Sequence, residues 1–340
     1  MRQIWVPKAG PPEVLDLREA PDPEPAAGEV RIRVEASGVN FADILGRLGS
    51  YPDLPPMPVV MGYEVAGRVD VVGDGVGSDW VGRDVLALTR FGGYSDVVCV
   101  PEAQVYARPE GMSAEKGAAL PLNYLTAWQL VYVMGGLRSG ETVLIHSAGG
   151  GVGTAAIQVA RWIGGRIFGT ASVGKHEVLE SLGVDVCIDY RTEDFEARVA
   201  ELTEGRGVEL VLDAVGGVSF KKSYRALAAS GRLGMFGISS AAAGKQPSRM
   251  SLIRTVAGMP WLQFNPVSLM NQNKGVFGVN LAHMWEEADR VNGWMASLLD
   301  LYLKQAISPM IAERFPFERA ADAHHYIQDR MNFGKVLLIP

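Results

Sequence analysis

Gly149, Gly150, Gly151 and Gly153 crowd one bend in the run SAGGGVGTAAIQVARWIG, from Ser147 to Gly164. A strand-like segment, TVLIHSA, enters the bend, and a helical pattern leaves it. In that context a backbone stripped of side chains can admit a pyrophosphate, and the first N–H groups of the helix can hold the anion. Set against the G-x-G-x-x-G pattern, the match is Ala148-x-Gly150-x-x-Gly153, with alanine in place of the first glycine. Gly150 is expected to let the pyrophosphate approach, and Gly153 to let helix and strand pack closely. Ala148, Gly149, Gly150, Gly151, Val152 and Gly153 therefore form the candidate dinucleotide cradle.

The next strand indicates which dinucleotide. A site for NAD places Asp or Glu about 20 residues further on, against the ribose 2′-hydroxyl. Here RIFGTAS ends in Ala171 and Ser172, followed by Val173-Gly174-Lys175-His176, with no carboxylate. A hydroxyl and a cation, Ser172 and Lys175, stand where a 2′-phosphate would lie. Each charge-assisted hydrogen bond contributes about 1.5–3 kcal/mol, so two favour NADP(H) by about tenfold or more. Tyr190, at the end of the third strand, can pack nearby. The alternative for Ser172 and Lys175 is that they only start the next helix.

Elements of two textures must position these residues. Up to about residue 122, short alternating runs such as EVRIRVEASGV, YEVAGRVDVVG and YSDVVCVP are punctuated by turn residues, which specifies a β-rich domain. From about Tyr124 strands alternate with helices. TVLIHSA, RIFGTAS, VDVCIDY, VELVLDAVGG and RLGMFGIS read as strands; the bend helix, KHEVLESLG, TEDFEARVAELTEG and SFKKSYRALAASG read as helices. This rhythm specifies a doubly wound parallel sheet covered on both faces, with VFGVNL as a further strand. The tail, a long helix, a strand, a short helix and GKVLLIP, is expected to return to the first domain. The boundaries expected are 1–122, completed by 282–340, and 123–281.

Composition narrows the function classes. The chain has 340 residues, 48% hydrophobic and 21% charged, which suits a globular protein of two domains. A net charge of −6 gives no basic stripe for nucleic acid. The two cysteines, Cys99 and Cys187, sit in apolar strand-like runs and read as buried thiols. No apolar run reaches the ~18 residues of a membrane span. MRQIWVPKAG lacks an apolar signal core, so a cytoplasmic location is expected.

Several stretches together resemble the medium-chain dehydrogenase/reductase superfamily, specifically its zinc-free quinone oxidoreductases. They are GVNFADILGRLGSYP, VVMGYEVAGRVDVVGDGV, LPLNYLTAWQL, the AGGGVG bend, GTASVGKHE, DAVGG and GKVLLIP. LPLNYLTAW, FGTASVGKHE and FGVNL carry a closer likeness to the vesicle amine transport protein family. The resemblance implies a GroES-like β-rich domain built from both ends of the chain, a Rossmann domain inserted between them, and a homodimer. Zinc-dependent members carry Cys and a G-H-E motif where this chain has Asn40 and Gly62-Tyr63-Glu64. Neither Asn nor Tyr is an ordinary zinc ligand, so no metal site is expected.

Hydride transfer without a metal suits an acceptor that is already electron-poor, a quinone or an α,β-unsaturated carbonyl. By resemblance, Asn40, Tyr51 and Thr126 line the nicotinamide and substrate end, with Asn40 and Tyr51 as orienting donors. Asp43, Tyr63 and Asn123 are pocket candidates. Tyr51 has a second reading as a loop aromatic, Asp43 as a cap of the following turn, and Tyr63 as a space-filling ring. Gly237, Phe277, Val279 and Asn332 are also carried over by resemblance, as cofactor contacts, with Lys335 beside Asn332 in the C-terminal segment that the resemblance returns to the cofactor. The expected function is NADPH-dependent quinone reduction, with enone reduction as an alternative. A second class of reading is an NADPH-binding protein that touches membrane through residues 250–270, which include Met250, Leu252, Trp261, Leu262 and Phe264. The other reading of that segment is a helix at the dimer contact or pocket wall.

Overall fold

Alternation of apolar and polar residues builds the first half of the chain as strands. They are β1 (Arg2–Val6), β2 (Asp16–Glu19), β3 (Glu29–Val39), β4 (Val59–Val60), β5 (Glu64–Val72), β6 (Asp84–Leu88), β7 (Val97–Pro101) and β8 (Val105–Ala107). Val30, Ile32 and Val34 of β3 point inward with Val65, Val69 and Val85 to form one core, as period-two patterning requires. Short helices α1 (Phe41–Arg47) and α2 (Ala114–Ala119) interrupt this run, and α3 (Pro121–Trp128) closes it.

The second half is a regular β-α alternation. Its elements are β9 (Thr142–Ile145), α4 (Gly151–Ile163), β10 (Arg166–Ala171), α5 (His176–Ser181), β11 (Val186–Asp189), α6 (Phe195–Leu202), β12 (Val208–Asp213), α7 (Val218–Arg225), β13 (Leu227–Met235), α8 (Pro266–Gln272) and β14 (Gly275–Gly278). The six strands are all parallel, in the order β11-β10-β9-β12-β13-β14. The chain leaves β9 toward one side and later returns to its other side as β12. Ligands in open parallel sheets bind at such a switch point, beyond the carboxyl ends of the strands.

SFKKSYRALAASG, expected as one helix, is helical only to Arg225, and Leu227 already opens β13. Leu227 and Ala228 are buried, so the sheet takes residues that propensity alone leaves in the helix.

The chain closes with α9 (Ala288–Leu303), β15 (Ile311–Pro316), α10 (Ala320–Gln328) and β16 (Lys335–Ile339). β16 pairs with β15 in parallel and with Ser37–Val39 of β3 antiparallel. The resulting sheet runs β15-β16-β3-β5-β6-β8, with β7 also on β3; β2-β1-β4 form a smaller sheet. The chain forms two compact units, Met1–Leu125 with Ala282–Pro340, and Thr126–Leu281.

This computed structural model describes residues 1–242, 253, 255–259 and 264–340. Much of the 250–270 segment singled out in the sequence, Met250, Leu252, Trp261 and Leu262 among it, lies outside the described residues. Of the remainder, Met259, Phe264 and Leu269 pack on the core of the second unit, whereas Ile253 and Met270 are exposed. Among the described residues no helix is long and apolar enough to cross a membrane. Cys99 and Cys187 are only partly buried, although burial still pushes each thiol up to about 11.

Candidate functional site

In the first unit, β3 ends at Val39 and delivers Asn40 to the start of α1. The Asn40 Oδ1 accepts a hydrogen bond from Lys335 Nζ at 2.5 Å, and its Nδ2 donates to Glu64 Oε1 at 3.1 Å. An ammonium only donates and a carboxylate only accepts, so the amide has one orientation. Lys335 also pairs with Glu64 Oε1, and Glu64 Oε2 accepts the N–H of Leu122 at 2.7 Å. All three side chains are buried. The pair passes over Gly38, where a Cβ would stand 2.5 Å from Glu64 Oε1. One carboxylate thereby ties together the end of β3, the start of β5, the start of β16 and the first turn of α3.

Asp43 sits directly behind this cluster, fully buried. Its carboxylate accepts the N–H groups of Asn40 at 2.7 Å and Gly62 at 3.0 Å. The first of these is the capping geometry of a helix start; the second joins the loop bearing Asn40 to the one bearing Tyr63. Tyr94 hydrogen-bonds Asp43, and its hydroxyl lies 3.2 Å from His324 Nε2. Arg47 Nε donates to His324 Nδ1 at 3.2 Å, which leaves Nε2 as the protonated nitrogen. Burial pushes the Asp43 carboxyl up to about 7, against the downward pull of the two N–H groups, the Lys335 charge and Tyr94.

Three aromatic rings run along the same unit. Tyr51 and Tyr63 have centroids 6.0 Å apart, and Tyr63 and Phe91 5.2 Å apart. Burial holds the Tyr63 phenol far above its ordinary range, so it stays neutral. Phe91 adopts φ 112°, a conformation uncommon outside glycine and often found at functional sites. Asn123, on α3, is buried in this unit, whereas the half-buried Thr126 opens the second. Asn332 lies in the turn before β16, where its Nδ2 donates to the Gly334 carbonyl at 3.1 Å.

In the second unit, β9 leads through His146 and Ser147 into the bend. Its left-handed residue is Ser147, at φ 54°, and not one of the glycines. Gly150 caps α4, and a Cβ on Gly153 would stand 2.4 Å from the Ser147 carbonyl oxygen. Gly153 therefore allows the close approach of helix and strand. Ala148 is buried against Gly169 of β10, whose own Cβ would meet Ala148 at 3.1 Å. The first-turn N–H groups of α4, at Gly151, Val152 and Gly153, point out of the helix start with its dipole behind them. A cradle that a side chain would fill, at a helix start beyond a switch-point strand, fits a dinucleotide pyrophosphate.

Ser172 follows the end of β10, Lys175 lies one short turn on, and Gly174 between them has open space around it. Tyr190 follows the end of the adjacent β11, with the Arg191 guanidinium 5.9 Å from its ring centroid. These groups gather at the carboxyl ends of neighbouring parallel strands. Gly237 follows β13, where a Cβ would stand 3.0 Å from the Ala214 carbonyl oxygen. Phe277 lies on β14, and the Val279 N–H donates to the Met235 carbonyl at 2.9 Å.

Sequence reasoning missed Glu64, Phe91 and Arg191. Glu64 and Lys335 are 271 residues apart, and no local pattern connects them; Phe91 reads as an ordinary loop residue. The donor set at the zinc positions of metal-dependent relatives does not fit zinc. Glu64 and Asn40 are committed to an ammonium, and Tyr63 is a neutral phenol.

Comparison with known proteins follows the same two units. The family model described as "Alcohol dehydrogenase GroES-like domain" matches residues 26–110, and that described as "Zinc-binding dehydrogenase" matches 151–296. The synaptic vesicle membrane protein VAT-1 homolog of Mus musculus is 40% identical over 329 residues, 96% of this chain and 80% of its own length. The Escherichia coli quinone oxidoreductase complexed with NADPH superposes with a TM-score of 0.88 at 30% identity, covering all of both chains. A mycobacterial protein complexed with NADPH superposes at 0.87 and 33% identity, again over both whole chains.

Proposed function

This chain belongs to the medium-chain dehydrogenase/reductase superfamily of oxidoreductases, among the VAT-1 homologs, and from that premise we propose that it reduces quinones with NADPH and without zinc. Two structural relatives are NADPH complexes, one of them a quinone oxidoreductase, which supports this reading. When bound, NADPH supplies the hydride. The helix start at Gly150–Gly153 holds the pyrophosphate, and Ser172 and Lys175 hold the 2′-phosphate. Tyr51 and Phe91, both partly exposed, offer flat faces on which a conjugated ring can stack, and the buried Tyr63 ring fills the space between them. The Tyr51 hydroxyl donates a hydrogen bond to the acceptor oxygen as negative charge develops there.

The observation that carries the reading is the commitment of Glu64 and Asn40 to Lys335. Residues engaged in this way do not hold a metal that would polarise an alcohol. The acceptor must then be polarised already, as a quinone is. NADPH consumption by the purified protein with ortho- and para-quinones and with enones, and with NADH in parallel, tests this. Turnover of quinones with NADPH preferred by about tenfold or more is the expected result. Turnover of enones alone moves the substrate class, and no turnover of any acceptor overturns the proposal.

A further inference from the structure

Beneath the glycine bend lies a run of buried polar groups that pyrophosphate binding does not use. His146, the residue after β9, donates its backbone N–H to the Leu212 carbonyl of β12 at 2.9 Å. Its Nδ1 lies 3.1 Å from Thr170 Oγ1 on β10, and its Nε2 lies 3.0 Å from Ser223 Oγ on α7. The hydroxyls of Ser223 and Ser219 each donate to Asp213 Oδ2 at 2.7 Å. Asp213 Oδ1 accepts the N–H groups of Val215 at 2.7 Å and Gly216 at 3.3 Å, in the DAVGG turn after β12. His146, Thr170, Ser223 and Asp213 are all buried.

The run has a single direction. The Asp213 carboxylate accepts, so the Ser223 proton points to it, and the Ser223 oxygen accepts from His146 Nε2–H. His146 Nδ1 is then bare and accepts the Thr170 hydroxyl. Burial holds the imidazole below the ordinary histidine range, against the pull of Asp213, which matches a neutral ring. Apolar side chains would fill this space without desolvation cost; polar groups satisfied in one geometry specify a spacing. What they space is the cofactor cradle. The Thr170 carbonyl accepts the N–H of Ala148 in the bend at 3.1 Å, and Ser172 stands two residues further along.

We propose that His146 is a positioning residue for cofactor selection, latching the strand end that carries Ser172 and Lys175 to the glycine bend. The latch keeps the grips on the pyrophosphate and the 2′-phosphate at one separation. The inference rests on the assignment of Ser172 and Lys175 to the 2′-phosphate.

His146→Phe, Thr170→Val and the double variant test it, read as dissociation constants for NADPH and NADH and by thermal unfolding. Each single change is expected to weaken NADPH about tenfold and NADH much less, narrowing the preference between them. The double variant should be no worse than His146→Phe alone, because that change already removes the bond to Thr170 along with the one to Ser223. Thr170→Val removes only a hydroxyl at constant shape and carries the test if His146→Phe does not fold. A lowered Tm with an unchanged NADPH/NADH ratio, or additive losses, overturns the latch. Lys175→Ala run alongside separates the two claims. If it narrows the ratio while the latch variants do not, only the latch falls; if none narrows it, both fall.

Discussion

At the scale of single residues, cofactor choice and acceptor chemistry fall to different side chains. Lys175→Ala is expected to weaken NADPH about tenfold or more, since it removes one charge-assisted hydrogen bond, and to leave NADH nearly unchanged. Equal losses for both cofactors in a binding titration would remove the 2′-phosphate role. Tyr51→Phe keeps the ring and deletes the hydroxyl, so acceptor turnover should fall while NADPH binding stays. An unchanged rate with several quinones would reduce Tyr51 to packing. Asp43 makes a prediction about pH. Its carboxyl titrates near 3.8 when unfolded and is pushed up to about 7 by burial in the fold. The folded state therefore binds the proton more tightly, and the stability Asp43 contributes below pH ~4 is lost as pH rises through about 7. The Tm of the wild type relative to Asp43→Asn should accordingly fall between about pH 5 and about pH 8. A difference that is flat, or that grows with pH, would contradict this.

At the scale of elements, the buried Glu64–Lys335 pair joins four chain segments. Removing one partner leaves an uncompensated buried charge, so Glu64→Gln or Lys335→Met is expected to cost about 3–5 kcal/mol in denaturant unfolding. The double variant should recover much of that loss, because two polar or apolar side chains carry no lone charge; additive losses would show that the pair does not act as one. The same structure explains why Asn40 was legible only as a type and a place. The SGVN run locates it beside the candidate site, but its partners come from β5 and β16, far away in sequence. Gly153 was legible in full, since strand, bend and helix are contiguous and the close approach is a local requirement. The end of α7 is not legible in the sequence, because Leu227 and Ala228 carry no local signal that separates a buried strand from a continuing helix.

For the molecule as a whole, two buried histidines set the response to acid. Burial holds His146 and His324 below the ordinary histidine range, with Arg47 adding to the effect on His324. Both are neutral in the fold and take up protons on unfolding, so their contribution is present above about pH 6.5 and is lost as pH falls below it. Asp43 has the opposite dependence over the same range, so the test is made in an Asp43→Asn background, where the Tm should fall from about pH 7.5 down to about pH 5. A Tm that rises in that background would mean the histidines are already charged in the fold.

The two textures of the chain, the dinucleotide bend and the absence of a carboxylate after β10 were determined by the sequence alone, because each is written in residues adjacent along the backbone. Periodicity and turn chemistry act over a few positions, and so does a glycine requirement. The return of β16 to β3, the ion pair over Gly38, the Tyr51–Tyr63–Phe91 row and the directed run from Thr170 to Asp213 were decided only in three dimensions. Their partners are brought together by the closing of two separate cores. Burial then changes what those groups are worth: an exposed Glu or His is interchangeable with its neighbours, whereas a desolvated one must find its partner or lose its charge.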